Sequence, residues 1–220
     1  CIPLKTTEDI EDRYFSRETT GKVYGQMVDD LTRAVNLLRG IEQITKYRTN
    51  QTAAFALLSR VYLYMEEYEQ AIVCADSVLE NRDYKLLDLN DYRKGHSAVY
   101  ISSPEVIFSH GPSTMAVLHA PVIKSGINWV SSTYTSSDDL MTAFDVNDLR
   151  LNAFFIQRTS PGDGFRCVKT RGDADEVSDI MAIRLPEMYL NKAEALALLG
   201  RDGEARAVVQ ELRAMRFSPE

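Results

Sequence analysis

Few side chains in this sequence stand at spacings that do chemistry. The histidines are His96, His110 and His119. No two lie three or four apart, so no helix face pairs them as metal ligands, and no His-Glu-x-x-His run occurs. They read as hydrogen-bonded loop residues. Cys1, Cys74 and Cys167 are too widely spaced for a zinc site or a redox pair. Carboxylates are abundant. A glycosidase, however, needs two of them held about 5 to 10 Å apart across one bond, and no nucleophile motif accompanies them here. Gly-x-Ser-x-Gly is absent, and no phosphate-binding loop precedes a helix. The residues therefore predict no catalytic group, no metal and no cofactor.

What they do offer is binding chemistry. Residues 111–137 sustain no period and carry Gly111, Pro112, Pro121 and Gly126 among serines, threonines and isolated aromatics. Long irregular stretches of this kind commonly carry function. A sugar presents an apolar C–H face ringed by hydroxyls, which an aromatic ring and amide, carboxylate or guanidinium partners can match. Trp129, the one tryptophan, follows Asn128, and Tyr134 comes five residues later. Tyr100 and Arg166 join these candidates because they flank other non-helical stretches, and Asp138 and Asp139 lie close by. The competing expectation is that Trp129 plugs the core beneath the loop region. Tyr62, Tyr64 and Tyr68 fall on a helical hairpin and are expected to pack it.

Helices must hold this region up. Thr19 or Thr20 starts a helix with an apolar stripe of Val23, Met27, Leu31, Val35 and Leu38, beside Ala34, that Gly40 ends. Thr49 or Asn50 caps a second helix. Two stretches then share one grammar. In residues 52–81 the turn Glu66 to Ala71 stands where Gly200 to Ala205 stands in residues 183–214. Both place an alanine at the same offset after the turn, where two helices must touch. In the second hairpin Met188, Ala195, Leu198 and Leu199 recur at helical spacing, as do Ala205, Val208, Val209 and Leu212. Gly200 stops its first helix and Asp202 caps its second. Between the hairpins, residues 84–180 form an irregular, ligand-facing region. It includes a strand at Pro104 to Ser109, a short helix capped by Asp138-Asp139, and a buried strand at Phe154 to Ile156. Glu187 and Glu194 read as ion-pairing groups near Arg184, and Asp148 and Arg150 as brackets of a turn. Cys74 falls on an apolar helix face and belongs to the core. The predicted fold is mostly α: tetratricopeptide (TPR)-like hairpins forming a superhelical scaffold, with a long irregular loop region and a few short strands.

The bulk properties bound the rest. At 220 residues the chain is one domain or a large piece of one. A formal net charge of -7 argues against a nucleic-acid partner. No apolar run approaches the ~18 residues that span a bilayer.

Taken in order, these motifs resemble the SusD/RagB family of nutrient-binding outer-membrane lipoproteins of Bacteroidota. The resemblance is carried by Ile2-Pro3-Leu4, by Arg17 with Val23-Tyr24 and Asp30-Leu31, and by Arg48-Thr49-Asn50 with Ala53-Ala54. It continues through Glu105-Val106-Ile107-Phe108 and Asp148-Leu149-Arg150 to Ile183-Arg184-Leu185 with Glu187-Met188-Tyr189-Leu190. It implies non-catalytic binding of an oligosaccharide or other nutrient at the cell surface, and delivery to a SusC-like TonB-dependent outer-membrane transporter. It also implies a partial SusD-like domain over residues 1–220, with the family's N-terminal part missing. The membrane is then met only through a lipid anchor outside or at the start of the chain, although Cys1 stands where the family usually has glycine. The alternative is a TPR-type interaction module that binds a peptide or partner helix.

Overall fold

The computed structural model describes residues 2–10, 12, 14–92, 99–111, 135–157, 164–167, 169 and 183–219. The chain adopts the predicted class: mostly α and TPR-like, with a few short strands.

Helix α1 (Thr20–Leu37) begins where the Thr19 side chain accepts from the Lys22 amide. Its inward stripe is Val28, Leu31, Ala34 and Val35. The expected Met27 is exposed instead, one position off the face that meets the next helix. Helix α2 (Gln51–Tyr64) is capped by Asn50, whose Oδ1 accepts from the Ala53 amide at 2.9 Å. Thr52, Ala53, Ala54, Ala56, Leu58, Ser59 and Val61 are all buried. This helix is apolar almost all round because it packs against α1 on one side and against α3 (Tyr68–Leu79) on another. Small side chains at Ala53, Ala54 and Ala56 make room for both.

After α3 the chain passes a 3-10 turn (Leu89–Asp91), strand β1 (Val106–Phe108) and two short helices, α4 (Asp138–Thr142) and α5 (Arg150–Phe154). The cap of α4 is Ser137, which accepts from the Leu140 amide. Asp138 and Asp139 occupy its first turn rather than the cap. The strand expected at Phe154 begins one residue later: Phe154 closes α5, and Phe155–Gln157 form β2, whose Phe155 and Ile156 are half-buried. Strand β2 pairs antiparallel with β3 (Phe165–Cys167), and β1 pairs antiparallel with β4 (Ile183–Arg184). Helices α6 (Leu185–Leu198) and α7 (Asp202–Ala214) follow.

The α2–α3 and α6–α7 hairpins pack together through α3 and α6. Ala71 and Ala205, the two alanines at equal offset, fall in one buried cluster with Ile72, Ala193, Ala195, Leu196 and Val208. Leu198 and Leu199, expected inside, are exposed, because Met188, Ala195 and Leu196 already fill the face that meets α3. Tyr64 is also exposed and does not pack the hairpin, whereas Tyr62 and Tyr68 do. Ion pairs cross between the hairpins. Arg60 donates to both carboxylate oxygens of Glu187, at 2.6 and 2.8 Å, and Lys192 meets Asp76 at 2.6 Å. Glu187 thus finds its partner on α2, not in the neighbouring Arg184. Cys74 is buried among Val35, Ala54 and Leu58, and burial pushes its thiol up to about 11.

The two hairpin turns match atom for atom. The Glu67 amide donates to the Tyr62 carbonyl and the Arg201 amide to the Leu196 carbonyl, at 2.9 and 2.8 Å. The Glu66 and Gly200 amides donate to the Leu63 and Ala197 carbonyls. Both turns are therefore Schellman caps, which need a left-handed residue after the helix. That residue is Gly200 in one (φ 74°) and Glu66 in the other (φ 64°). Asp202 is the first helical residue of α7 rather than its cap, and no side chain caps that helix. A side chain in the left-handed region costs about 1 kcal/mol, which glycine avoids. Glu66→Gly should therefore stabilise the protein by about 0.5 to 1 kcal/mol in urea titration. Gly200→Ala should destabilise it by a similar amount, although its Cβ would meet open space. Equal and opposite results would show that the repeated turn is not under backbone strain.

Candidate ligand-binding region

Among the described residues, two clusters of polar contacts fasten the region between the hairpins to them. The first is the N-terminal end of α2. Asn50 Nδ2 donates to the Tyr84 hydroxyl at 2.8 Å, and that hydroxyl donates to Gln43 Oε1 at 2.9 Å. Gln43 Nε2 in turn donates to the Ile107 carbonyl on β1 at 3.0 Å. Lys46 Nζ donates to the Ser103 carbonyl at 2.7 Å, and partial burial lowers its pKa. The Ser109 amide donates to the Lys46 carbonyl. Residues 103–109 are thus pinned to the connector that precedes α2.

The second is Glu105, only 2% exposed. Its Oε1 accepts from the Leu87 amide at 2.9 Å and from Arg216 Nη2, and its Oε2 faces Arg184 Nη1 at 3.7 Å. Arg216, 7% exposed, also donates to the carbonyls of Leu87 and Met215. The Leu185 amide donates to the Glu105 carbonyl at 2.8 Å, and the Leu149 amide to the Arg216 carbonyl at 2.9 Å. One carboxylate therefore gathers the chain after α3, the start of β1, the β4–α6 junction and the chain after α7. In the sequence Glu105 stands out only as part of a strand motif. Its charge partner lies 111 positions away, and no spacing signals it. Beside it, Asp148 is buried and takes a bidentate pair from Arg150, so these two residues partner each other across one turn.

The five candidate ligand residues fall as follows. Asn128, Trp129 and Tyr134 lie outside the described residues, as do His96 and His119. Arg166 is the central residue of β3, opposite Ile156. Tyr100 is half-buried, and its carbonyl accepts from the Ser103 amide. Two segments that adjoin candidates meet the chain at or just after β3. The Ser136 amide, two residues after Tyr134, donates to the Phe165 carbonyl at 2.8 Å. The Thr135 side chain lies against Gly164, whose φ of 59° marks a left-handed turn into β3. The Val99 amide, next to Tyr100, donates to the Lys169 carbonyl at 3.0 Å. His110 stands apart from this strand, its ring edge-on to Phe108 at 5.5 Å. Among the described residues no group of three or more His, Cys, Asp and Glu is placed to hold a metal, and no helix is long and apolar enough to cross a membrane.

Two groups give measurable consequences. Removing one member of a buried ion pair costs about 3 to 5 kcal/mol, because the other charge is left uncompensated. Glu105→Gln should cost that much in urea titration, and Glu105→Leu/Arg216→Met should recover most of it. A double variant no better than the single would show that the pair is not coupled. Lys169 has its pKa lowered from 10.5 to about 8, first by burial and then by Arg184, with Arg216 adding to the effect and Cys167 and Glu105 opposing it. Between those two values the unfolded chain binds more protons, so this residue favours folding increasingly as pH rises through about 8 and loses that contribution as pH falls. Lys169→Met should therefore be more stable than the parent at pH 7, with the difference shrinking by pH 9.5. A difference that stays constant with pH would contradict the assignment.

Comparison with known proteins gives a consistent result. A family described as SusD-like, "Starch-binding associating with outer membrane", matches residues 1–63. No curated protein sequence matches. Among solved structures, a SusD superfamily protein from Bacteroides thetaiotaomicron is 25% identical, with a TM-score of 0.77 over 99% of this chain and 52% of its own. A SusD-like carbohydrate binding protein from Bacteroides vulgatus is 23% identical, with a TM-score of 0.76 over 100% of this chain and 48% of its own. Surface glycan-binding protein A from Bacteroides uniformis shares the fold at 15% identity, with a TM-score of 0.72 over 100% and 55%. The chain spans about half the length of the solved structures it matches. The ordered motifs, the paired TPR-like hairpins and these likenesses agree: residues 1–63 match the SusD-like family, and the whole chain shares its fold with solved SusD superfamily proteins.

Proposed function

We propose that this chain belongs to a non-catalytic, surface-exposed lipoprotein of the outer membrane that binds an oligosaccharide or another nutrient and hands it to a SusC-like TonB-dependent transporter. The observation that carries the reading is the likeness, over the whole chain, to a SusD-like carbohydrate binding protein, together with a family match described as starch-binding and outer-membrane associated. The geometry is compatible with that role. The hairpins are rigid scaffold, cross-braced by Arg60–Glu187 and Lys192–Asp76. Ser136, which follows the candidate-bearing stretch, bonds to β3 at Phe165, and Val99, next to Tyr100, bonds to Lys169 just beyond it. In this reading Trp129 supplies the aromatic platform, while Asn128, Tyr134, Tyr100 and Arg166 supply polar partners for hydroxyls.

Calorimetry of the full-length protein against glycans, peptides and glycopeptides tests the proposal, and binding of none of them would sink it. A pair of substitutions separates scaffold from site. Tyr189 packs between the two largest core clusters, so Tyr189→Ala should cost about 2 to 4 kcal/mol of stability. Trp129→Ala should instead abolish ligand binding at nearly unchanged stability. The reverse pattern would make Trp129 a core residue and move the site elsewhere.

A further inference from the structure

One cavity is lined by charges that none of the five candidate ligand residues supplies. It has a volume of about 310 Å³ and lies between α5, the first turns of α6 and the end of α7. Five cationic side chains line it: Arg150, Lys169, Arg184, Arg213 and Arg216. Two carboxylates answer them. Asp148 neutralises Arg150, and Glu105 is shared between Arg184 and Arg216. Among the described residues no carboxylate pairs with Lys169 or Arg213. Both instead face aromatic rings: Lys169 Nζ is 4.9 Å from the centre of Phe154, and Arg213 Cζ is 4.0 Å from the centre of Phe217. Cation–ring contacts orient a charge without neutralising it. Counted over the described residues, the pocket thus keeps surplus positive charge in a chain whose formal net charge is -7. Low-dielectric walls concentrate such a field on whatever enters. Leu190 and Leu212 add apolar wall, which suits a ring rather than a bare ion.

We infer that this cavity is an anion-selective subsite for one acidic sugar unit, a ring bearing a carboxylate or sulfate group, with Lys169 and Arg213 as the groups that hold the anion. The inference rests on the nutrient-binding reading above and names the ligand class for one part of it. Arg184 and Arg216 are committed to Glu105 and supply field rather than direct contacts. The raised cost of charging Lys169 agrees with a pocket awaiting a counter-ion, and a bound anion should lift its pKa back toward the ordinary value.

The test is calorimetry of the full chain at pH 7 and low ionic strength with glucuronate, glucose 6-sulfate, glucose and inorganic sulfate. Both acidic sugars should bind and glucose should not. Lys169→Gln/Arg213→Gln should weaken the acidic sugars at least tenfold. Leu190→Glu, at an exposed wall position, should do the same by repulsion, so the result does not hang on one variant folding. Failure of both acidic sugars to bind, or unchanged affinity in correctly folded variants, would overturn the inference. So would inorganic sulfate binding as tightly as the sugars. A neutral glycan that binds parent and variants alike while the acidic sugars fail would leave the broader reading standing. Silence across the whole glycan panel would remove both.

Discussion

The structure depends on one buried carboxylate. Glu105 sits between Arg216 and Arg184 with the Leu87 amide on the same oxygen as Arg216, and it holds four separate stretches of chain at a single point. A buried ion pair of this kind adds little net stability compared with well-packed apolar side chains. What it adds is position: a carboxylate held by two donors and a second guanidinium tolerates no slip in register. The β1–β4 pairing, the entry into α6 and the exit from α7 all follow from where that group lies.

Around that point the molecule divides its labour. The hairpins are stiff for ordinary reasons. Alanines at Ala71 and Ala205 let helices touch, the Schellman turns end them at the same residue, and ion pairs brace α6 against α2 and α3. The strand β3 is different. Among the described residues it pairs with one strand, β2, yet it accepts a hydrogen bond from Ser136, and Lys169, two residues beyond it, accepts one from Val99, next to Tyr100. A short strand tied to several loops can carry recognition groups without the scaffold having to change, which is how sites are grafted onto a shared fold. The neighbouring cationic cavity draws two of its five charges from the Glu105 cluster, so the group that organises the backbone also shapes the field beside it.

Much of the scaffold was legible in the residues. Asn50 and Thr19 announce their helices because capping is a local exchange of one side-chain oxygen for one free amide. The equivalence of Glu66 and Gly200 was visible in the alanine offset, even though one of the two turns lacks glycine. Local competition defeated the finer readings. Ser137 caps α4 ahead of Asp138, and Arg201 precedes α7 without any side-chain cap. Leu198, Leu199 and Tyr64 obey helical spacing but point away, because periodicity tells which residues share a face and not which face meets a neighbour.

By itself the sequence determined the elements, the likeness of the two hairpins and the resemblance to SusD-like proteins, since each rests on short-range pattern: caps, turns, apolar periods and motif order. Only the tertiary structure decided which charges meet. Glu105 with Arg216, Arg60 with Glu187 and Lys192 with Asp76 each join residues more than a hundred positions apart. No one-dimensional spacing encodes such a pair. Charge is indifferent to sequence distance, and the energy that singles out a partner appears only when packing has removed the water between the two groups.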